Sequence, residues 1–234
     1  MGAASHAFLR EHLRAPLTLA LLALIPALFV LAGAAVLGEF GAALGGAVGG
    51  ASATALGAGW AAAFLAGTLA FFQVSSSREA DRRLVIAGLG PGTVAGARIG
   101  AAIALSLIVA AAALIALELR EPPAHAAHAA AAVLAFALIY VGIGALVGSV
   151  LTGALEGSMT VALIFLVDIF SGPGMTDSGG VAALAPTRRS AEVLIAAGAG
   201  QGSPSQDWLI VALTVIGSLV LAGAAFWSAA RVRG

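Results

Sequence analysis

Long apolar runs are the feature that most limits what this chain of 234 residues can fold into. A helix needs about 20 predominantly apolar residues to cross the hydrocarbon core of a bilayer. Five segments reach that length and a sixth, the fifth along the chain, is shorter. The predicted spans are 16–37, 51–74, 93–117, 128–151, 158–170 and 208–230. Charged residues are 9% of the chain, whereas a soluble domain carries roughly a quarter. We therefore predict an all-α polytopic membrane protein forming a single transmembrane domain, residues 1–234.

The arginines predict how these spans are oriented, because short cytoplasmic loops are enriched in basic residues. One predicted side of the membrane holds most of them: Arg10, Arg14, Arg78, Arg82, Arg83, Arg98, Arg231 and Arg233. The other side holds Arg120, Arg188 and Arg189. Both termini are therefore expected in the cytoplasm.

Residues 1–15 have the pattern of an amphipathic helix lying in the membrane interface. Phe8, Leu9 and Leu13 fall on one helical face, and Arg10 and Arg14 fall on the opposite one. Pro16 then favours a bend before the first span. We expect an interfacial helix that leads into the first span at an angle.

Missing residue types exclude several chemistries. The chain has no cysteine and its 11 basic residues are all arginine. A phosphate-binding loop for ATP requires a lysine, so we expect no ATP hydrolysis by this chain and no catalytic residues of its own. His125 and His128 are too few ligands for a metal site. The formal net charge of zero gives no sign of nucleic-acid binding.

Five charges cluster in the six residues between the second and third predicted spans. They are Arg78, Glu79, Asp81, Arg82 and Arg83. One interpretation is a short cytoplasmic helix that docks a partner through salt bridges. The other is a basic anchor that sets topology, which explains the arginines but not the two acids, because acids contribute little to orientation. The residues alone leave both interpretations open.

Asp168 is the acid placed deepest in a predicted span. An ionisable residue in a membrane suggests a substrate or proton site. Because the span is short and arginines follow it, we predict instead a structural ion pair with Arg188 or Arg189.

Gly92, Gly96 and Gly100 recur every fourth residue where the third predicted span begins. Small residues at this spacing let two membrane helices approach closely. The pattern predicts helix packing on that face.

The chain resembles the ABC-2 type permeases, the membrane subunits of bacterial ATP-binding-cassette exporters. The residues that carry the resemblance are the charged segment 78–83 followed by Pro91 and Arg98, and a hydrophobic stretch with Pro186 after the fifth span. The resemblance implies an external re-entrant region over 171–207 and a location in the bacterial inner membrane, in contact with lipid. It also implies a cytoplasmic ABC ATPase, which holds ATP and Mg, docked at residues 78–83, and a second permease copy in a homodimer.

Two other functions stay open from the residues. An ion- or proton-coupled secondary carrier would use Asp168 as its coupling site, although such carriers place several polar groups near the bilayer midplane. A non-transporting membrane scaffold would need nothing beyond packed helices. The transported molecule and the direction of transport do not follow from the sequence.

Overall fold

A computed structural model describes residues 16–43, 49–175 and 185–231. These ranges are helical and contain no strand, which confirms the all-α prediction. The helices are α1 (Pro16–Ala43), α2 (Gly50–Ser75), α3 (Arg78–Ile86), α4 (Pro91–Arg120), α5 (Ala126–Val150), α6 (Ala154–Phe170), α7 (Arg188–Gly198) and α8 (Ser205–Arg231).

Four of these helices, α2, α4, α5 and α8, are long and apolar enough to cross a membrane. A fifth is reached if α1 is one span, although α1 bends by 44° between Ala20–Gly33 and Ala35–Ala43. At 17 residues, α6 is shorter than the roughly 20 that a span requires. The protein is therefore membrane-embedded. The described ranges hold four or five such helices, and the six predicted spans are not confirmed.

The helix ends follow from glycine and proline. α4 begins at Pro91, where a missing amide hydrogen costs nothing because the first turn leaves that group unpaired. α6 ends before Ser171-Gly172-Pro173-Gly174, where Gly174 has a φ of 77°, a left-handed conformation that favours glycine. α6 therefore ends at Phe170, the last residue of the fifth apolar run.

The core of the bundle is formed by α2 and α5. In the most apolar 18-residue stretch of each helix, 72% of the residues of α2 and 67% of those of α5 are buried, against 17% in α8. The largest fully buried side chains include Trp60 of α2 and Tyr140 of α5. Leucines such as Leu209 and Leu213 stay exposed on α8, and in a membrane-embedded chain this surface faces lipid or another chain.

Glycine allows α2 and α5 to pack backbone against backbone. A Cβ added at Gly144 would overlap the carbonyl oxygen of Gly67 across the interface. A Cβ at Gly59 would lie 2.7 Å from the ring of Phe136. Small residues are therefore required where these two helices cross.

The glycine row predicted to pack, Gly92, Gly96 and Gly100, is not the close interface within the described chain. A Cβ at Gly92 or Gly100 would meet no atom within 4 Å, and Gly96 is exposed. The reason is the register of α4, whose buried side chains, Val94, Arg98, Ala101 and Leu105 among them, occupy a different face.

Two predicted features lie wholly or partly outside the described residues. The interfacial helix with Phe8, Leu9 and Leu13 is one, and residues 176–184 of the expected re-entrant region are the other. Within that region the structure describes α7, which packs against α2 and α5 through a buried face that includes Val193 and Leu194. A re-entrant path through the membrane is not confirmed by this.

Candidate functional site

The charged segment between α2 and α4 forms the nine-residue helix α3. Glu79 and Asp81 lie in its first turn, where the helix dipole favours negative charge. At its C-terminus Gly88 has a φ of 99°. The amide of Gly88 donates to the carbonyl of Val85, and the amide of Leu89 donates to that of Leu84. This arrangement is a Schellman motif, which ends α3 sharply and lets α4 start three residues after Gly88.

Asp81 faces inward and binds Arg98 of α4. Arg98 Nη2 lies 2.9 Å from Asp81 Oδ1, and Arg98 Nε lies 3.1 Å from the same oxygen. The two side chains are 6% and 7% exposed. Burial raises the pKa of the Asp81 carboxyl above its ordinary value, while the hydrogen bond and the charge of Arg98 act to lower it. The pair therefore joins α3 to α4 through a largely desolvated ionic contact.

Arg78, the first residue of α3, also faces inward. Its guanidinium donates to the carbonyl oxygens of Gly148 and Leu151, at the C-terminus of α5. Carbonyls in the last turn of a helix lack partners within that helix, and a cation there interacts favourably with the helix dipole. Arg78 thus anchors α3 to α5.

The remaining three charges of α3 face outward. Arg83 and Glu79 form an ion pair of 2.7 Å between side chains that are 77% and 80% exposed. Arg82 is exposed and forms no ion pair with any residue that the structure describes. The five charges predicted to act together therefore divide into two that hold α3 in place and three whose side chains are exposed.

The predicted ion pair between Asp168 and Arg188 or Arg189 is wrong. Asp168, 1% exposed, accepts hydrogen bonds from the hydroxyls of Tyr140 at 2.9 Å and Thr187 at 2.7 Å. Both arginines instead bind Glu192, at 3.1 Å and 2.6 Å.

The register of α7 explains this exchange of partners. The helix begins at Arg188, so Glu192 is one turn further on and within reach of both arginines. Thr187 immediately precedes the helix and its backbone amide also points to Asp168, at 3.3 Å. The sequence carried one signal for the true contact: Tyr140 is the chain's single tyrosine, inside an apolar run, and a buried tyrosine hydroxyl usually has a partner.

In the described ranges no three His, Cys, Asp or Glu side chains form a group able to hold a metal ion. The short amphipathic helix α3 is bound to two long helices, α4 and α5, and carries exposed ionic groups on its other side. No protein-family model matches the chain, and no curated protein matches its sequence.

Proposed function

We propose that this chain is the permease subunit of an ATP-binding-cassette exporter. The observation that carries the proposal is the division of charge on α3. Arg78 and Asp81 fix the helix to α5 and α4, and Glu79, Arg82 and Arg83 are presented outward. A helix built in this way can receive a protein subunit and pass its movement to two long apolar helices.

The proposal assigns ATP and Mg to a partner ATPase, because this chain has no lysine for a phosphate-binding loop. ATP binding by the partner would favour one of two permease conformations through its differential affinity for them. A second permease copy would complete the translocation path. The resemblance adds six spans, cytoplasmic termini, a re-entrant stretch within 171–207 and a bacterial inner-membrane location.

Charge reversal on the outer face of α3 tests the docking. The permease is coexpressed with a candidate ABC ATPase from the same genome and purified in detergent. Arg82→Glu with Arg83→Glu should abolish co-purification of the ATPase. The variant permease should still insert into the membrane and elute from a size-exclusion column at the wild-type volume. The matched control, Arg82→Lys with Arg83→Lys, keeps the charge and should keep the complex. Unchanged assembly of the charge-reversed variant with the ATPase would contradict the proposed docking at α3.

A secondary carrier is the second candidate, and one observation favours it. Asp168 is held by neutral hydroxyls instead of arginine and lies on the wall of an apolar cavity of about 330 Å³, beside Val167 and Pro186. A carboxylate without a cationic partner can exchange a proton or a cation.

Proteoliposomes that contain the permease without any ATPase separate the two candidates. A carrier would move substrate in response to a pH or ion gradient, and Asp168→Asn would stop it. Transport that requires the ATPase and ATP would leave the carrier without support.

A further inference from the structure

A cavity of about 440 Å³ opens beside α3, on the side facing the end of α8. The apolar part of its wall is formed by Val74, Val85, Ile86, Phe226 and Ala229. Its polar part comes from Ser149 of α5 and from four residues of α3: Arg78, which binds backbone carbonyls of α5, and Glu79, Asp81 and Arg82. The volume falls within the roughly 300–1,000 Å³ of small-molecule sites, and the wall has one charged and one apolar side, as an amphiphile would require.

The charges on this wall favour an anion. Both carboxylates of the wall already bind arginines that do not line the cavity: Glu79 binds Arg83 and Asp81 binds Arg98. Arg82 lines the cavity and has no carboxylate partner in the described ranges. Guanidinium groups bind phosphate through paired N–H donors, so a phosphate is the group that this wall fits.

Exposed apolar side chains on the helices that form the cavity indicate its depth. Ile86, on the cavity wall, is 75% exposed although it belongs to the charged helix, and Trp227, the residue after Phe226 in α8, is 43% exposed. Tryptophan is enriched at the level of the lipid headgroups. An exposed isoleucine on the wall that also holds Arg82 matches the boundary between headgroups and acyl chains. Phospholipid is the amphiphile present in quantity at that boundary.

We propose that this cavity binds an anionic phospholipid of the surrounding membrane. The phosphate lies against Arg82 and the start of an acyl chain lies along Val85, Ile86 and Phe226. Basic pockets between membrane helices are known to take such headgroups. The site requires no ATPase, so it stands or falls separately from the docking proposed for α3.

Binding is measured on the purified full-length chain in detergent, by quenching of tryptophan fluorescence with lipids whose acyl chains are brominated. Phosphatidylglycerol should bind about five-fold more tightly than phosphatidylcholine of the same chains, as expected for roughly 1 kcal/mol from one arginine. Arg82→Gln should remove this preference. The control Arg120→Gln makes the same substitution at an exposed arginine that does not line the cavity, and should keep the preference.

Ala229→Phe tests the cavity without changing charge. Its larger side chain should fill the cavity and weaken the binding of both lipids. Equal preference in Arg82→Gln and the wild type would overturn the proposal, and so would unchanged binding in a folded Ala229→Phe. If soluble glycerol phosphate competes as well as the lipid, the site is one for free phosphate. If lipid binds only after removal of residues 1–15, that segment is the natural occupant and the proposal fails.

Discussion

The two faces of α3 carry the same kinds of residue and use them in opposite ways. On the inner face Asp81 and Arg98 are 6% and 7% exposed, whereas on the outer face Glu79 and Arg83 are 80% and 77% exposed. A buried pair holds its elements together, since removal of one partner leaves an uncompensated charge. An exposed pair contributes little to stability because water screens it. The inner face therefore stabilises the fold, and the outer face stays accessible.

The glycines repeat this contrast between interior and exterior. Gly144 lies against the backbone of α2, while Gly100 on α4 has open space where a side chain would go. Both glycines belong to rows with the spacing that membrane helices use for packing. What lies opposite each residue, and not the spacing, decides its importance.

The largest effect is expected at the glycines. Gly144→Val should destabilise the protein by about 5 kcal/mol or prevent folding, because the side chain would occupy the position of the Gly67 carbonyl and force α2 and α5 apart. Gly100→Val should change stability by about 0.5 kcal/mol or less. Thermal unfolding in detergent, followed by size-exclusion chromatography, measures both variants. Similar losses in the two would contradict the packing described here.

The second-largest effect on stability is expected at the buried pair of Asp81 on α3 with Arg98 on α4. Asp81→Asn should cost about 3 kcal/mol, because it leaves Arg98 buried without its counter-charge. Glu79→Gln on the outer face should cost about 0.5 kcal/mol or less. The same unfolding assay compares them, and the double exchange Asp81→Arg with Arg98→Asp should recover part of the loss. Equal stability of the two single variants would mean that the inner pair does not hold α3.

The smallest difference in stability is expected between substitutions at Thr187 and Arg188, two neighbouring residues at the start of α7. Thr187→Val should cost about 1–2 kcal/mol, because Asp168 loses a buried hydroxyl donor. Arg188→Gln should cost less than about 1 kcal/mol, since its pair with Glu192 is partly exposed. The opposite ranking of unfolding temperatures would contradict a larger contribution from the buried Thr187–Asp168 contact than from the Arg188–Glu192 pair.

Much of the helical architecture could be predicted because it depends on local properties. Apolar length places the long helices, and proline or glycine ends them, as Pro91 and Gly174 show. The cluster of charge at 78–83 likewise marks a short helix between two longer ones. These features depend on residues close together in the chain.

The partners of the polar residues could not be predicted, because they depend on the rotation of one helix against another. Arg98 reaches back 17 residues to Asp81, and Tyr140 reaches forward 28 residues to Asp168. Rotating a helix by a quarter turn would change each contact while leaving its hydropathy unchanged.

The amino-acid order alone therefore places this protein in a membrane as a helical bundle. The given sequence also contains no lysine from which a lysine-dependent phosphate loop could be built. Composition and local pattern suffice for both statements. Tertiary packing assigns Arg78 and Asp81 to anchoring and leaves Glu79, Arg82 and Arg83 facing outward. It also shows that the glycines in close packing lie where α2 contacts α5, and not in the row predicted on α4. The physical reason is the same in both cases: burial is a property of the assembled helices, and burial sets how much an ion pair or a missing side chain matters.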